Sequence, residues 1–102
     1  MNNTGLSDLD ISLLRDILQK HPEVRLVHLF GSRAKGNFKK GSDIDLAIMN
    51  ALEDESIINR IKGLLEDSSL PYLTDIVYYP GLKHQELRDH INRVGVEFYK
   101  AQ

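Results

Sequence analysis

From Asp43 to Ile48 the chain alternates strictly, with Ile44, Leu46 and Ile48 facing one way and Asp43, Asp45 and Ala47 the other. A strand of this kind is half-buried, and its apolar face needs a second layer to cover it. Its other face begins with two carboxylates whose Cα atoms lie about 6.6 Å apart along a strand. Buried side by side without a cation, they would raise each other's pKa and both lose hydration. The fold must therefore leave this end of the strand open or supply it with a cation.

The segments on either side predict what surrounds the strand. Ser7 is an N-cap with Asp10 three residues on, and Leu6 and Ile11 are spaced for a hydrophobic staple. Leu13, Leu14, Ile17 and Leu18 recur with helical spacing, so residues 8–20 read as an amphipathic helix ended by Pro22. Val24 to Phe30 reads as a buried strand, Gly31-Ser32 as a turn, and Arg33 to Asn37 as a brief helix before a loop through Gly41. Residues 54–66 carry a second helical stripe of Ile57, Ile58, Ile61, Leu64 and Leu65. Tyr72 to Tyr78 follows as a strand with Leu73, Asp75 and Val77 on one face. After the Pro80-Gly81 turn, Leu87, Ile91, Val94 and Phe98 predict a helix running to the C-terminus. The order is α-β-(short α)-β-α-β-α, an α/β (α+β) fold with a small mixed sheet flanked by helices, read as one domain over residues 1–102.

Charge and composition narrow the function classes. The chain has 13 basic and 15 acidic residues, a net charge of −2, which argues against direct nucleic-acid binding. Arg33, Lys35, Lys39 and Lys40 form a compact basic cluster better suited to one polyphosphate than to a duplex. There is no cysteine, which excludes a disulfide framework and a thiolate metal site. No segment reads as a signal peptide or a membrane span, so the expected location is cytoplasmic.

A third carboxylate, Asp75, sits on another strand among apolar neighbours. Three acidic residues on strands of an α/β fold are the usual protein share of a two-metal phosphoryl-transfer site, and Mg²⁺ completes its octahedron with water and substrate phosphates. Gly31-Ser32 directly follows a buried strand, where glycine permits close backbone approach and the succeeding N–H groups and the Ser32 hydroxyl can meet a phosphate. Glycine-serine, ten residues, then Asp-x-Asp is a pattern chance supplies in about one chain in a thousand. Competing motifs fail. Gly31-x4-Gly36 lacks the lysine of a P-loop, and an EF-hand starting at Asp43 lacks its glycine and its final glutamate. The four histidines form no ligand pair at i, i+4 on one helix.

Leu29-Phe30-Gly31-Ser32-Arg33-Ala34-Lys35-Gly36, followed by Gly41-Ser42-Asp43-Ile44-Asp45-Leu46-Ala47-Ile48, resembles the minimal nucleotidyltransferase family of the DNA polymerase β-like superfamily. The resemblance extends over nearly the whole chain, to the third acidic strand and the closing Val96-Glu97-Phe98-Tyr99. It implies that Gly31 and Ser32 hold a nucleoside triphosphate, ATP by family habit. It implies further that Asp43 and Asp45 bind two Mg²⁺ ions and that Asp75 completes the site of the ion that activates the attacking hydroxyl. Arg33 and Lys35 enter as phosphate contacts on position alone. Small members of this family resemble antitoxins paired with helical HEPN-type toxins. The implied reaction is transfer of AMP to a hydroxyl, a tyrosine of such a partner. A contact-only antitoxin and a transferase acting on a small molecule are the alternatives.

Overall fold

The structure, a computed structural model, describes residues 3–102. Helix α1, Asp8–Gln19, opens with the expected capping box: the Ser7 hydroxyl accepts the Asp10 N–H at 3.0 Å and the Asp10 carboxylate accepts the Ser7 N–H at 3.1 Å. Strand β1 is Leu26–Phe30, helix α2 Gly31–Lys35, β2 Ile44–Ile48, α3 Ser56–Glu66 and β3 Thr74–Tyr78. A 3₁₀ turn over Tyr79–Gly81 leads to α4, Gln85–Val94, and the chain closes with β4, Val96–Lys100. Among the described residues no helix is long and apolar enough to cross a membrane.

The strands form one sheet in the order β3-β2-β1-β4, mixed as expected: β2 and β3 are parallel, while β1 runs antiparallel to both β2 and β4. Its first face carries Val27, Leu29, Ile44, Leu46, Ile48 and Ile76, and α1 and α3 cover it with Leu14, Ile17, Leu18, Ile57, Ile61 and Leu65. Burying each such side chain contributes about 1.5–3 kcal/mol, so this layer holds the fold together. On the second face α4 packs Ile91 against Phe30 and Ala47, with Val77, Leu82 and Leu87 around them. That cover reaches only part of the face. Ala47 lies under it, while Asp43 and Asp75 remain exposed.

One element differs from the sequence reading. The helical stripe ending in Phe98 does not run to the C-terminus; the helix stops at Val94, and residues 96–100 are strand β4. Phe98 follows Val94 at i+4 and so fits a helix, but it is equally an inward residue of a strand. Gly95 decides between them: it takes an extended conformation (φ −61°, ψ 137°) and turns the chain onto the edge of β1. A bulge at Val27/His28 shifts the register there, and Phe98 and Tyr99 are both buried. Shorter offsets occur elsewhere. The brief helix starts at Gly31, two residues before expectation, and β1 starts at Leu26 because Val24 closes a turn onto the His21 carbonyl instead.

Candidate active site

Asp45 is the geometric centre of the site. In the parallel ladder it pairs with Asp75, and in the antiparallel ladder with Phe30, the residue before Gly31. Paired strands run about 4.8 Å apart, so the Asp45 and Asp75 carboxylates leave the same face side by side. Asp43 lies two residues before Asp45 on that face and is exposed. Thus the register brings together the three carboxylates that the sequence singled out.

Gly31 roofs this arrangement. Its φ of 73° lies in the left-handed region that favours glycine. A Cβ built there would run into an Asp45 carboxylate oxygen, so only a hydrogen at this position lets the Asp45 side chain occupy its place. The Gly31 N–H points to neither carboxylate nor solvent; it donates to His90 Nε2 at 3.3 Å. The His90 Nε2 lone pair is thus the acceptor for this backbone donor. Its ring also meets Phe30 edge-on, with centroids 6.1 Å apart. Ser32 follows in the first turn of α2, where helix N–H groups lack intrahelical acceptors.

The electrostatics follow from this packing. Burial first, then the charges of Asp75 and Asp43, push the Asp45 carboxyl up from 3.8 to about 6. Three carboxylates held on one open face favour a hard divalent cation, and oxygen donors of this kind suit Mg²⁺. Among the described residues, no three His, Cys, Asp or Glu side chains close tightly enough to hold an ion alone. The donor chemistry fits a cation that takes only one or two protein carboxylates and keeps its other positions for water and phosphate.

The two expected phosphate contacts differ in their settings. Arg33 is only 2% exposed. Its Nε and one terminal nitrogen donate to the Ser42 carbonyl at 3.1 and 2.8 Å, and the other donates to the Thr4 carbonyl at 2.8 Å. Phe38 and Tyr72 flank the guanidinium with ring centroids at 5.2 and 4.6 Å. Its length and planar fork let it reach inward from α2, which its sequence position did not reveal. Lys35 is exposed and borders a cavity of about 500 Å³ lined with Thr4, Gly36, Val96 and Glu97, none of them a member of the carboxylate group. His90 was not singled out by the sequence. No local pattern could find it, since its contact with Gly31 spans 59 residues.

Comparison with known proteins identifies the family and the fold. Residues 13–102 match the family model described as polymerase beta, nucleotidyltransferase. A probable protein adenylyltransferase MntA from Haemophilus influenzae is 32% identical over 99 residues, which cover 91% of this chain and 86% of that protein. A crystal structure of a toxin-antitoxin with AMP-PNP superposes with a TM-score of 0.72 at 24% identity, over 91% of this chain and 75% of that one. A tri-AMPylated Shewanella oneidensis HEPN toxin in complex with an MNT antitoxin matches with a TM-score of 0.58 at 24% identity, covering 98% of this chain and 71% of that one. At these identities the two solved structures speak for the fold alone.

Proposed function

This chain belongs to the polymerase β-type nucleotidyltransferase family, and from that premise we propose that it is an antitoxin that transfers AMP from ATP to a hydroxyl of a HEPN-type helical partner. The acceptor we assign is a tyrosine, and a cytoplasmic location goes with the reading. The observation that carries it is the setting of Asp45, paired with Asp75, two residues from Asp43 and packed beneath Gly31.

In this reading Asp43 and Asp45 hold two Mg²⁺ ions and Asp75 completes the site of one of them. When bound, the ions lower the pKa of the attacking hydroxyl and neutralise the departing pyrophosphate. Gly31 and Ser32 receive the triphosphate. With the Gly31 N–H committed to His90, the Ser32 hydroxyl and the following N–H groups of α2 are the available donors. Lys35 is retained as a contact to the outer phosphates. Arg33 is not, because its donors are engaged with Ser42 and Thr4. The acceptor oxygen forms a bond to the α-phosphorus as the bond to the pyrophosphate oxygen breaks in line. The acceptor proton passes to Asp75, which is exposed on β3 and is the general base of the group. The 32% identical protein adenylyltransferase supports AMP transfer to a protein, and the choice of a HEPN-type partner is taken by analogy from the toxin bound to an antitoxin of the same fold.

Two measurements test this. Calorimetric titration of ATP and Mg²⁺ should show binding that vanishes in the Asp43→Asn/Asp45→Asn double variant. Mass spectrometry of a co-purified partner should show added adenylate with the wild type and none with the variant. A partner inhibited equally by both, and unmodified, would make this a contact antitoxin and end the enzymatic reading.

A further inference from the structure

We propose that Arg33 is a positioning residue: by fixing the Ser42 carbonyl, it sets the backbone from which Asp43 is presented. The inference rests on the reading of Asp43 as a metal ligand. Its own evidence is separate and lies in how the loop between α2 and β2 is hung.

That loop closes on itself just before Asp43. Ser42 N–H donates to the Lys39 carbonyl at 3.0 Å and Lys39 N–H donates to the Ser42 hydroxyl at 2.8 Å. The Ser42 carbonyl points away from this turn and receives two donors of one guanidinium. Because the peptide is planar, fixing that carbonyl also fixes the direction of the Asp43 N–H and the entry into β2. Beyond Asp43, the Ile44 N–H is already tied to the Leu73 carbonyl at 2.9 Å. Asp43 is therefore held from both sides, by the ladder after it and by Arg33 before it.

The partners of Arg33 are carbonyls and aromatic faces, not carboxylates. Burying the charge is offset by three hydrogen bonds and by Phe38 and Tyr72. Tyr72 leads into β3, the strand of Asp75, so the same cation also contacts the approach to the third carboxylate. To reach a phosphate, the guanidinium would have to vacate the slot between the two rings and leave the Ser42 and Thr4 carbonyls. Lysine could not replace it, since a single ammonium cannot grip one carbonyl with a planar pair of donors.

Mn²⁺ with ATP is the probe, its affinity read by calorimetry beside thermal melting and circular dichroism. Asp43→Asn should abolish binding. Arg33→Lys, in protein that remains folded, should weaken Mn²⁺-ATP affinity by about tenfold or more, as loss of a residue that orients a metal ligand does. Phe38→Leu should lower the melting temperature yet keep affinity within about twofold. If Asp43→Asn binds like the wild type, the metal-ligand reading of Asp43 falls. If Asp43→Asn loses binding while Arg33→Lys does not, or if Phe38→Leu weakens binding as much as Arg33→Lys, the role of Arg33 is overturned. Should Arg33→Lys fail to fold, NMR of the wild type decides. A hydrogen-bond coupling from Arg33 to the Ser42 carbonyl that persists with Mg²⁺-ATP bound supports positioning, and its replacement by a coupling to phosphorus overturns it.

Discussion

Asp45 shows how one side chain can be costly to the fold and central to the site. Its carboxyl titrates near 6 in the folded chain against 3.8 as the ordinary value, so between those pH values the folded state holds the proton more tightly than the unfolded one. The contribution of Asp45 to stability should accordingly be greatest below about pH 4, fall as pH rises toward 6, and level off above it. Asp45→Asn should flatten this profile and raise stability at neutral pH by about 1 kcal/mol after allowance for solvent screening, while abolishing Mg²⁺-ATP binding. Urea unfolding at pH 4.5 and 7.5 checks the sign. At His90, loss of the acceptor leaves the Gly31 N–H without a partner, so His90→Leu should cost about 1–3 kcal/mol. His90→Gln, which can still accept, should recover part of that in the same unfolding experiment. The carboxylates were legible in the sequence because strand alternation reports which side chains share a face. Arg33 and His90 were not, since what a long or distant side chain touches depends on contacts that no local period encodes.

Among the elements, those with an unambiguous period were readable. The stripes of α1 and α3, the capping box at Ser7 and the alternation of β2 each pointed to one structure. β4 was hidden because Phe98 satisfies two periods at once and because a strand gains most of its stability from a neighbour, here the otherwise open edge of β1. The bulge compounds the ambiguity by burying Phe98 and Tyr99 in succession, which breaks the alternation a strand would have displayed. The position of Phe98 in the main core makes its truncation severe: Phe98→Ala should destabilise the protein by about 3–5 kcal/mol, measured by chemical denaturation. Val96, exposed on the same strand, should tolerate Val96→Thr with a change near zero, and the contrast between the two reads out the facing of β4.

At the scale of the molecule, the sheet is covered fully on one face and partly on the other, and the carboxylates occupy the part that α4 leaves open. A ligand held there adds its binding energy directly to folding. Mg²⁺-ATP at about a hundred times its dissociation constant should stabilise the chain by about 2.7 kcal/mol, a shift of several degrees in melting temperature that the Asp43→Asn/Asp45→Asn variant should lack. The open face also bears on stoichiometry. Among the described residues Asp43 and Asp75 stay exposed, so on the proposed reading the acceptor protein forms the last wall of the site and takes that wall away when it departs with its adenylate. A site emptied in this way is ready for the next customer. One copy of this chain should silence many copies of its target, and a tenth of an equivalent with ATP should suffice where a stoichiometric blocker would fail.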